Sequence, residues 1–370
     1  MNRQPEKATN RKKSDRNDYE RKQSKDKRAD DEGNNSASQA ASSSGNMRDA
    51  NKQRKFREKH HPILRAIWDV NKDEINTAEK LRKLEDVIVK QRNDVSTLCD
   101  VLDDITGKPI AQATPLIIAC FEGDLDVIKF IIEAGADTNQ TESEHHLTPI
   151  HVLCDAEYQG QCLRQKDRAD LVKLLIKRGA KVNHLDRNAM TAIHKAVIHD
   201  RPECVQVLMD AKADPNVIYL GDTPLSIAAR HNRTRICQIL LKYHETNVNH
   251  KNDQGGTPLH FASAAIVDSP ECIELLLASG ARVNAVDIRR NTATMVSTFF
   301  SKPTILSTLI RAGGDLSMQN NEGRTALDIA KEKEHDECAA IITKYSNKGS
   351  TRREDRDKLA DDMDRMKIRK

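Results

Sequence analysis

Thr114-Pro-Leu-Ile-Ile-Ala-Cys-Phe-Glu-Gly123-Asp-Leu-Asp-Val-Ile-Lys-Phe-Ile-Ile-Glu-Ala-Gly135-Ala-Asp-Thr-Asn139 is the stretch on which the reading of the fold turns. Thr is a good helix N-cap and Pro suits the first helical position, so a helix starts at the Thr-Pro step. Gly123 breaks that helix. Val127, Ile128, Phe130, Ile131 and Ile132 then mark a second, more apolar one. Gly135 can take the left-handed conformation that ends it, and a polar stretch leads to the next Thr. The unit is helix, turn, helix, extended finger.

The same unit opens at Thr114, Thr148, Thr191, Thr223, Thr257, Thr292 and Thr325, at spacings of 34, 43, 32, 34, 35 and 33 residues. One helix pair cannot cover its own apolar face, so neighbours must stack. A fixed period in this range predicts a solenoid, which offers a long surface instead of a pocket. That points first to protein binding.

Thr257-Pro-Leu-His-Phe-Ala with Leu275-Leu-Leu-Ala-Ser-Gly280-Ala-Arg-Val-Asn284, and Thr148-Pro-Ile-His with Leu174-Leu-Ile-Lys-Arg-Gly179-Ala-Lys-Val-Asn183, resemble the ankyrin repeat from end to end. The resemblance covers residues 108–346. It implies an all-α solenoid of paired antiparallel helices whose fingers and inner-helix surfaces contact protein partners, and it implies no catalytic residue. It also implies that His151, His194 and His260 brace turns by hydrogen bonds. Asn139, Asn183, Asn216, Asn284 and the similar Asn249 stand where asparaginyl hydroxylation is possible in the family, though nothing in the chain demands it.

Departures from the pattern locate irregularities. The second repeat carries about ten extra residues around Glu157–Lys166, which predicts a protruding loop. Lys212 and His244 replace the helix-ending Gly, at a cost on the order of 1 kcal/mol if the residue must be left-handed. The sixth repeat reads Thr292-Ala-Thr-Met, and Ser317 replaces its finger Asn. Lys331, Glu332, Lys333 and Glu334 give the seventh the polar face of a terminal cap. Upstream, residues 61–107 read as a helical capping segment, with Leu81, Leu84, Val87 and Ile88 on one stripe and Val95, Leu98, Leu102 and Ile105 on another. A separate partner-binding helix is the alternative there.

The ends differ in composition. Residues 1–60 hold 17 Lys/Arg against 10 Asp/Glu with few large apolar side chains, which predicts a disordered basic tail. Residues 347–370 form a charged tail of net +3, in which Leu359, Met363 and Met366 fall at helical spacing. Subtracting the +7 and +3 of the two ends from the whole-chain +4 leaves −6 for residues 61–346, which argues against a nucleic-acid groove along the repeats. The N-terminus lacks an apolar signal core, and no run approaches the roughly 20 apolar residues of a membrane span. The eight cysteines form no CxxC pair. Cys204, Cys272 and Cys338 occupy a column filled elsewhere by Val127, Leu171, Ile236 and Ile305, so they read as buried structural thiols of an intracellular protein, cytoplasmic or nuclear.

No chemistry stands out against this background. Gly107-Lys108 lacks the rest of a phosphate loop. Asp69-Val-Asn71-Lys-Asp73 begins like a calcium loop, but Glu74 and Lys80 stand where Gly and Glu are required. His145, His146, His151, Cys154 and Cys162 match no zinc module. No nucleophilic grouping is found, and neither catalytic residue, cofactor nor metal is expected.

Candidate contacts are therefore residues out of place on fingers. Val217-Ile218-Tyr219-Leu220 puts four apolar residues at a projecting tip, with Tyr219 the foremost contact candidate because aromatics dominate interface energetics. Arg289 and Arg290 on a later finger could meet a carboxylate or phosphate. Off the fingers, Phe299 reads as core, and Phe300, at a position that tends to be exposed, is a second candidate contact. The leading expectation is a non-enzymatic intracellular adaptor whose repeats bind a protein partner of unspecified identity. The alternatives are a nuclear chromatin- or RNA-associated regulator using the basic clusters Arg11–Lys13, Lys25–Arg28 and Arg54–Lys59, and a substrate-recruiting subunit of a ubiquitin ligase. Against the latter, no recruiting box follows Tyr345.

Overall fold

The computed structural model describes Ile67 and residues 77–90, 95–102, 109–155 and 163–346, all within one unit that spans Arg57–Lys370. The basic tail 1–60, the calcium-like run, the greater part of the insertion in the second repeat (156–162, with Cys162) and the tail 347–370 lie outside the described residues.

Seven helix pairs follow one another. Inner helices are α2 (Pro115–Glu122), α4 (Pro149–Cys154), α6 (Ala192–Ile198), α8 (Pro224–Arg230), α10 (Pro258–Ser263), α12 (Ala293–Phe299) and α14 (Ala326–Glu332). Outer helices are α3 (Leu125–Glu133), α5 (Gln165–Lys177), α7 (Pro202–Asp210), α9 (Thr234–Leu241), α11 (Glu271–Ala278), α13 (Pro303–Arg311) and a last one, α15, over 336–346. Each inner helix packs on the next inner helix, and the first six outer helices pack likewise. Cys204, Cys272 and Cys338 are fully buried in the outer-helix column, beside Val127, Leu171, Ile236 and Ile305.

The repeat-opening threonines cap their helices. At Thr114, Thr223 and Thr292 the hydroxyl accepts the amide hydrogen of the residue three positions on. At Thr148, Thr191 and Thr257 a buried histidine completes the cap. Thr148 N donates to His151 Nδ1 (3.3 Å), so that nitrogen is unprotonated. The Thr148 hydroxyl also reaches it (2.7 Å), and Nε2–H donates to Met190 O (3.3 Å) on the following finger. His194 and His260 repeat the arrangement towards Val217 O and Asn291 O, both at 3.0 Å. Burial pushes His151 and His194 down to about 4 and lowers His260 too. A neutral imidazole in this position ties each helix start to the finger that closes its own unit.

Two places correct the sequence reading. The spacing of Val95, Leu98, Leu102 and Ile105 predicts a helical stripe, yet β1 (Cys99–Leu102) is a strand. It pairs antiparallel with β2 (Pro109–Ala113), Cys99 opposite Ala113 and Asp100 opposite Gln112. Cys99 is buried while Asp100 is exposed, the alternation of a strand. β2 runs straight into Thr114, and its Gln112 exchanges bonds with Ser143, so the hairpin stands where a preceding finger would be. The helix α1 (Thr77–Glu85), followed by a turn of π-helix (Asp86–Lys90), packs on α3 and buries Leu84 and Ile88.

Lys212 and His244 part company. Lys212 keeps the left-handed conformation (φ 62°) that Gly135, Gly179, Gly280 and Gly313 adopt in other repeats. The fourth repeat avoids it: Thr246 Oγ1 donates to Leu240 O (2.7 Å), and Tyr243 OH donates to Asp210 Oδ1 (2.6 Å) of the repeat before. In the sixth repeat, Thr294, Ser297 and Thr298 are fully buried, with the Ser297 and Thr298 hydroxyls bonded back to Thr294 O. A separate small core of Met295, Leu306, Ala326, Ile329, Ala330, Cys338 and Ile342 follows.

Candidate partner-binding surface

The fingers run over 136–147, 180–190, 213–222, 246–256, 281–291 and 314–324, hereafter fingers 1 to 6. An asparagine ladder holds their bases. Asn139 donates from Nδ2 to Gly179 O (2.9 Å) and accepts from Lys181 N (2.7 Å). Asn183, Asn216, Asn249 and Asn284 bridge to the next repeat in the same way. These side chains thus have a structural task on both ends of the amide.

Finger tips are turned by a carboxylate or amide that gathers backbone N–H groups. Glu142 accepts from Glu144, His145 and Leu147; Asp186 from Asn188 and Met190; Asn252 from Gln254 and Gly256; Asp287 from Arg289 and Asn291; Asn320 from Glu322 and Arg324. Finger 3 has no such residue, because the 32-residue spacing leaves it one short and Ile218 stands in the column. It closes instead as a two-residue hairpin, Tyr219 and Asp222 exchanging both backbone bonds at 3.0 Å. That turn places Leu220 at φ 49° and Gly221 at φ 85°. A branched aliphatic in the left-handed region is strained by about 1 kcal/mol or more.

The sequence-predicted residues fall as follows. Leu220 is 81% exposed and Ile218 53%, so both project. Tyr219 turns inward, half-buried against the core, its ring 5.9 Å from that of His194. The tip therefore presents two aliphatic side chains and not the aromatic one. Arg289 and Arg290 are exposed on finger 5, with Arg290 in the left-handed turn position (φ 59°). The two phenylalanines exchange roles. Phe299 is the exposed ring, covered on one side by the Lys333 ammonium at 4.7 Å, and Phe300 is half-buried, edge-on to it at 5.2 Å. Phe299 lies on the last turn of α12, where the neighbouring repeat supplies the Lys333 ammonium.

Sequence reasoning passed over Leu185 and Ile288, exposed on fingers 2 and 5, and Ile266 and Val267 in the helix–helix turn of the fifth repeat. For Ile266 the available signal was an aliphatic residue in a column filled by Gly123, Asp200, Asn232, Ser301 and Glu334 in other repeats, whereas Leu185 and Ile288 share their columns with the aliphatic Val286 and the aromatic Tyr219.

On the inner-helix side, Asp155 is buried under Lys195 (2.9 Å) and His199 (2.8 Å), and Lys195 also faces Asp186 (3.7 Å). Burial alone would raise the Asp155 pKa; hydrogen bonds and charge from His199 and Lys195 overcome that and hold it well below the usual range. Arg230 pairs with Asp222 at the base of finger 3 and lies 4.4 Å over the Phe261 ring. These groups are engaged with one another. Among the described residues no cluster of three or more His, Cys, Asp or Glu is placed to hold a metal, and no helix is long and apolar enough to cross a membrane.

Helix pairs stacked at a fixed period, braced by Thr–His caps and interlocked fingers, define a repeat array that acts by presenting a surface. The chain belongs to the ankyrin-repeat family: the profile of ankyrin repeats (3 copies) matches residues 116–219, 216–287 and 264–353. Such repeats imply protein–protein interaction. Alpha-latrocrustotoxin-Lt1a of Latrodectus tredecimguttatus is similar at 30% identity over 181 residues, 47% of this chain and 12% of its own length. Neurogenic locus notch homolog protein 1 of Homo sapiens is similar at 28% over 218 residues, 59% of this chain and 7% of its length. A palmitoyltransferase by name, ZDHHC13 of Danio rerio, is 31% identical over 218 residues, 57% of this chain and 31% of its own. The chain spans a third or less of each relative, so the shared part is the repeat array.

Proposed function

We propose that the chain is a non-enzymatic intracellular adaptor that binds a protein partner on its finger surface, with finger 3 at the centre of the contact. The observation carrying this reading is Leu220, held at φ 49° and 81% exposed beside Ile218. An aliphatic side chain placed in water on a strained backbone contributes nothing to folding there, and strain of this kind collects at binding sites. The stacked array supports the mechanism: the contact residues are ordered before the partner arrives, which lowers the entropy cost of association.

The test is quantitative affinity purification of the full chain against the Ile218→Asp/Leu220→Asp variant, with circular dichroism confirming that both are folded. Proteins that depend on finger 3 drop out of the variant's eluate. An unchanged set at unchanged abundance removes finger 3 from the account.

A further inference from the structure

We infer that the partner segment is acidic and carries aliphatic side chains, and that it lies across fingers 3 to 5; this deepens the finger-binding function proposed above and rests on it. Charge is the first argument. Residues 61–346 carry a net −6, yet the tips and flanks of fingers 2 to 5 expose Lys181, Arg187, Lys251, Arg282, Arg289 and Arg290. Against them stand two exposed carboxylates on the same fingers, Asp214 and Asp253. The remaining finger carboxylates face inward: Asp186 and Asp287 gather turn amides, and Asp222 pairs with Arg230. Arg187 and Lys251 do donate to Glu144 O and Val286 O, but neutral carbonyls leave their charge in place. An acidic array thus displays a basic ridge, the complement of a negative partner.

The apolar tips decide between classes of partner. Ile218, Leu220 and Ile288 are each more than half exposed along this ridge. A nucleic-acid backbone gains nothing from aliphatic tips, and stacking would need exposed aromatics, whereas Tyr219 is turned inward. Aliphatic tips flanked by guanidinium groups suit a peptide with leucine- or isoleucine-like side chains and carboxylates.

The ridge is also stiff enough to select a spacing. His250 Nε2 donates to Gly221 O (3.1 Å) and Asn252 Nδ2 to Asp222 Oδ1 (3.1 Å), joining fingers 3 and 4. Ile288 N donates to Gln254 O (3.0 Å), joining fingers 4 and 5, where a Cβ on Gly255 would meet Ile288 N at 2.9 Å. Packed helices lie about 10 Å apart, so fingers 3 and 5 are separated by about 20 Å, or about six residues of extended chain. The occupant therefore has two aliphatic residues about six positions apart, the second beside acidic residues that meet Arg289 and Arg290.

Random-peptide display on the full chain tests this. Selected peptides are expected to be net acidic with that aliphatic spacing. Their affinity falls tenfold or more for Arg289→Glu/Arg290→Glu, and a Glu-to-Lys version of the peptide regains affinity for that variant. Selected peptides that are neutral or basic, or that bind the arginine variant unchanged, overturn the acidic-segment inference; the finger-binding function survives that result if Ile218→Asp/Leu220→Asp still abolishes binding. Enrichment of nothing, or of peptides indifferent to both variants, overturns both. A single-stranded oligonucleotide that binds more tightly than any peptide and is lost in the arginine variant also overturns the inference.

Discussion

Lowering the pH from 7 to 5 should destabilise the repeat array, because the histidines that lock its caps gain protons in the unfolded chain and stay neutral in the folded one. His151 and His194 titrate at about 4 in the folded chain, against 6.5 for an unhindered imidazole. Burial is the main cause, and the geometry agrees: each Nδ1 accepts a backbone N–H and has no room for a proton. The unfolded chain therefore binds more protons than the folded one between those values. Stability from this source is present above pH 6.5 and is lost as the pH falls towards 4. Linkage gives a loss of about 2 kcal/mol per histidine on going from pH 7 to 5, about 4 kcal/mol for the pair, a large share of a typical 5–15 kcal/mol. His260 acts in the same direction. Asp155 does not contribute in this window, since the stability from its lowered pKa is lost only as pH falls below the ordinary aspartate range. Urea denaturation followed by circular dichroism at pH 7, 6 and 5 reads the effect as a falling midpoint. His151→Gln/His194→Gln should start lower at pH 7 and decline less. An equal midpoint at pH 7 and 5, or an equally steep decline in the double variant, refutes the protonation argument.

Leu220→Gly should raise the unfolding free energy by about 1 kcal/mol, since glycine adopts φ 49° without strain; a midpoint that falls in denaturation removes strain as the account of that tip. Asn216→Ala breaks the bonds to Glu245 O (2.7 Å) and from Asn247 N (2.8 Å), and should cost about 1 kcal/mol because both sites are exposed to water. Leu306→Ala should cost about 2–5 kcal/mol by leaving a cavity in the small core of the last two repeats. Hydrogen exchange should then quicken over 293–346 and stay unchanged over 149–241. Cys237 and Cys272, with Sγ atoms 3.4 Å apart and fully buried, should resist iodoacetamide until urea is added, because the hydrogen bond with the neighbouring thiol, and then burial, raise the Cys237 pKa; labelling of either thiol in the native chain counts against this packing.

The array was legible in the sequence because each unit repeats the same local physics. A Thr-Pro or Thr-Ala step caps a helix, apolar residues recur at helical spacing, and in four units a glycine ends the second helix, so the seven openings set the register of every helix pair. The buried thiol column and the stacked caps follow from the same alignment. The terminal hairpin did not, since a run as short as Val95–Leu102 fits a helical stripe and a strand equally well until β2 supplies the partner for its backbone. Nor did the inward turn of Tyr219 and the exchange between Phe299 and Phe300. Which face of a finger or helix end meets water depends on what the neighbouring repeat places opposite it: His194 beside Tyr219, Lys333 over Phe299. Local sequence carries propensity and period, and these decided that repeats form and stack. The facing of individual side chains at the surface is set by contacts between units, and only the packed tertiary structure determines those.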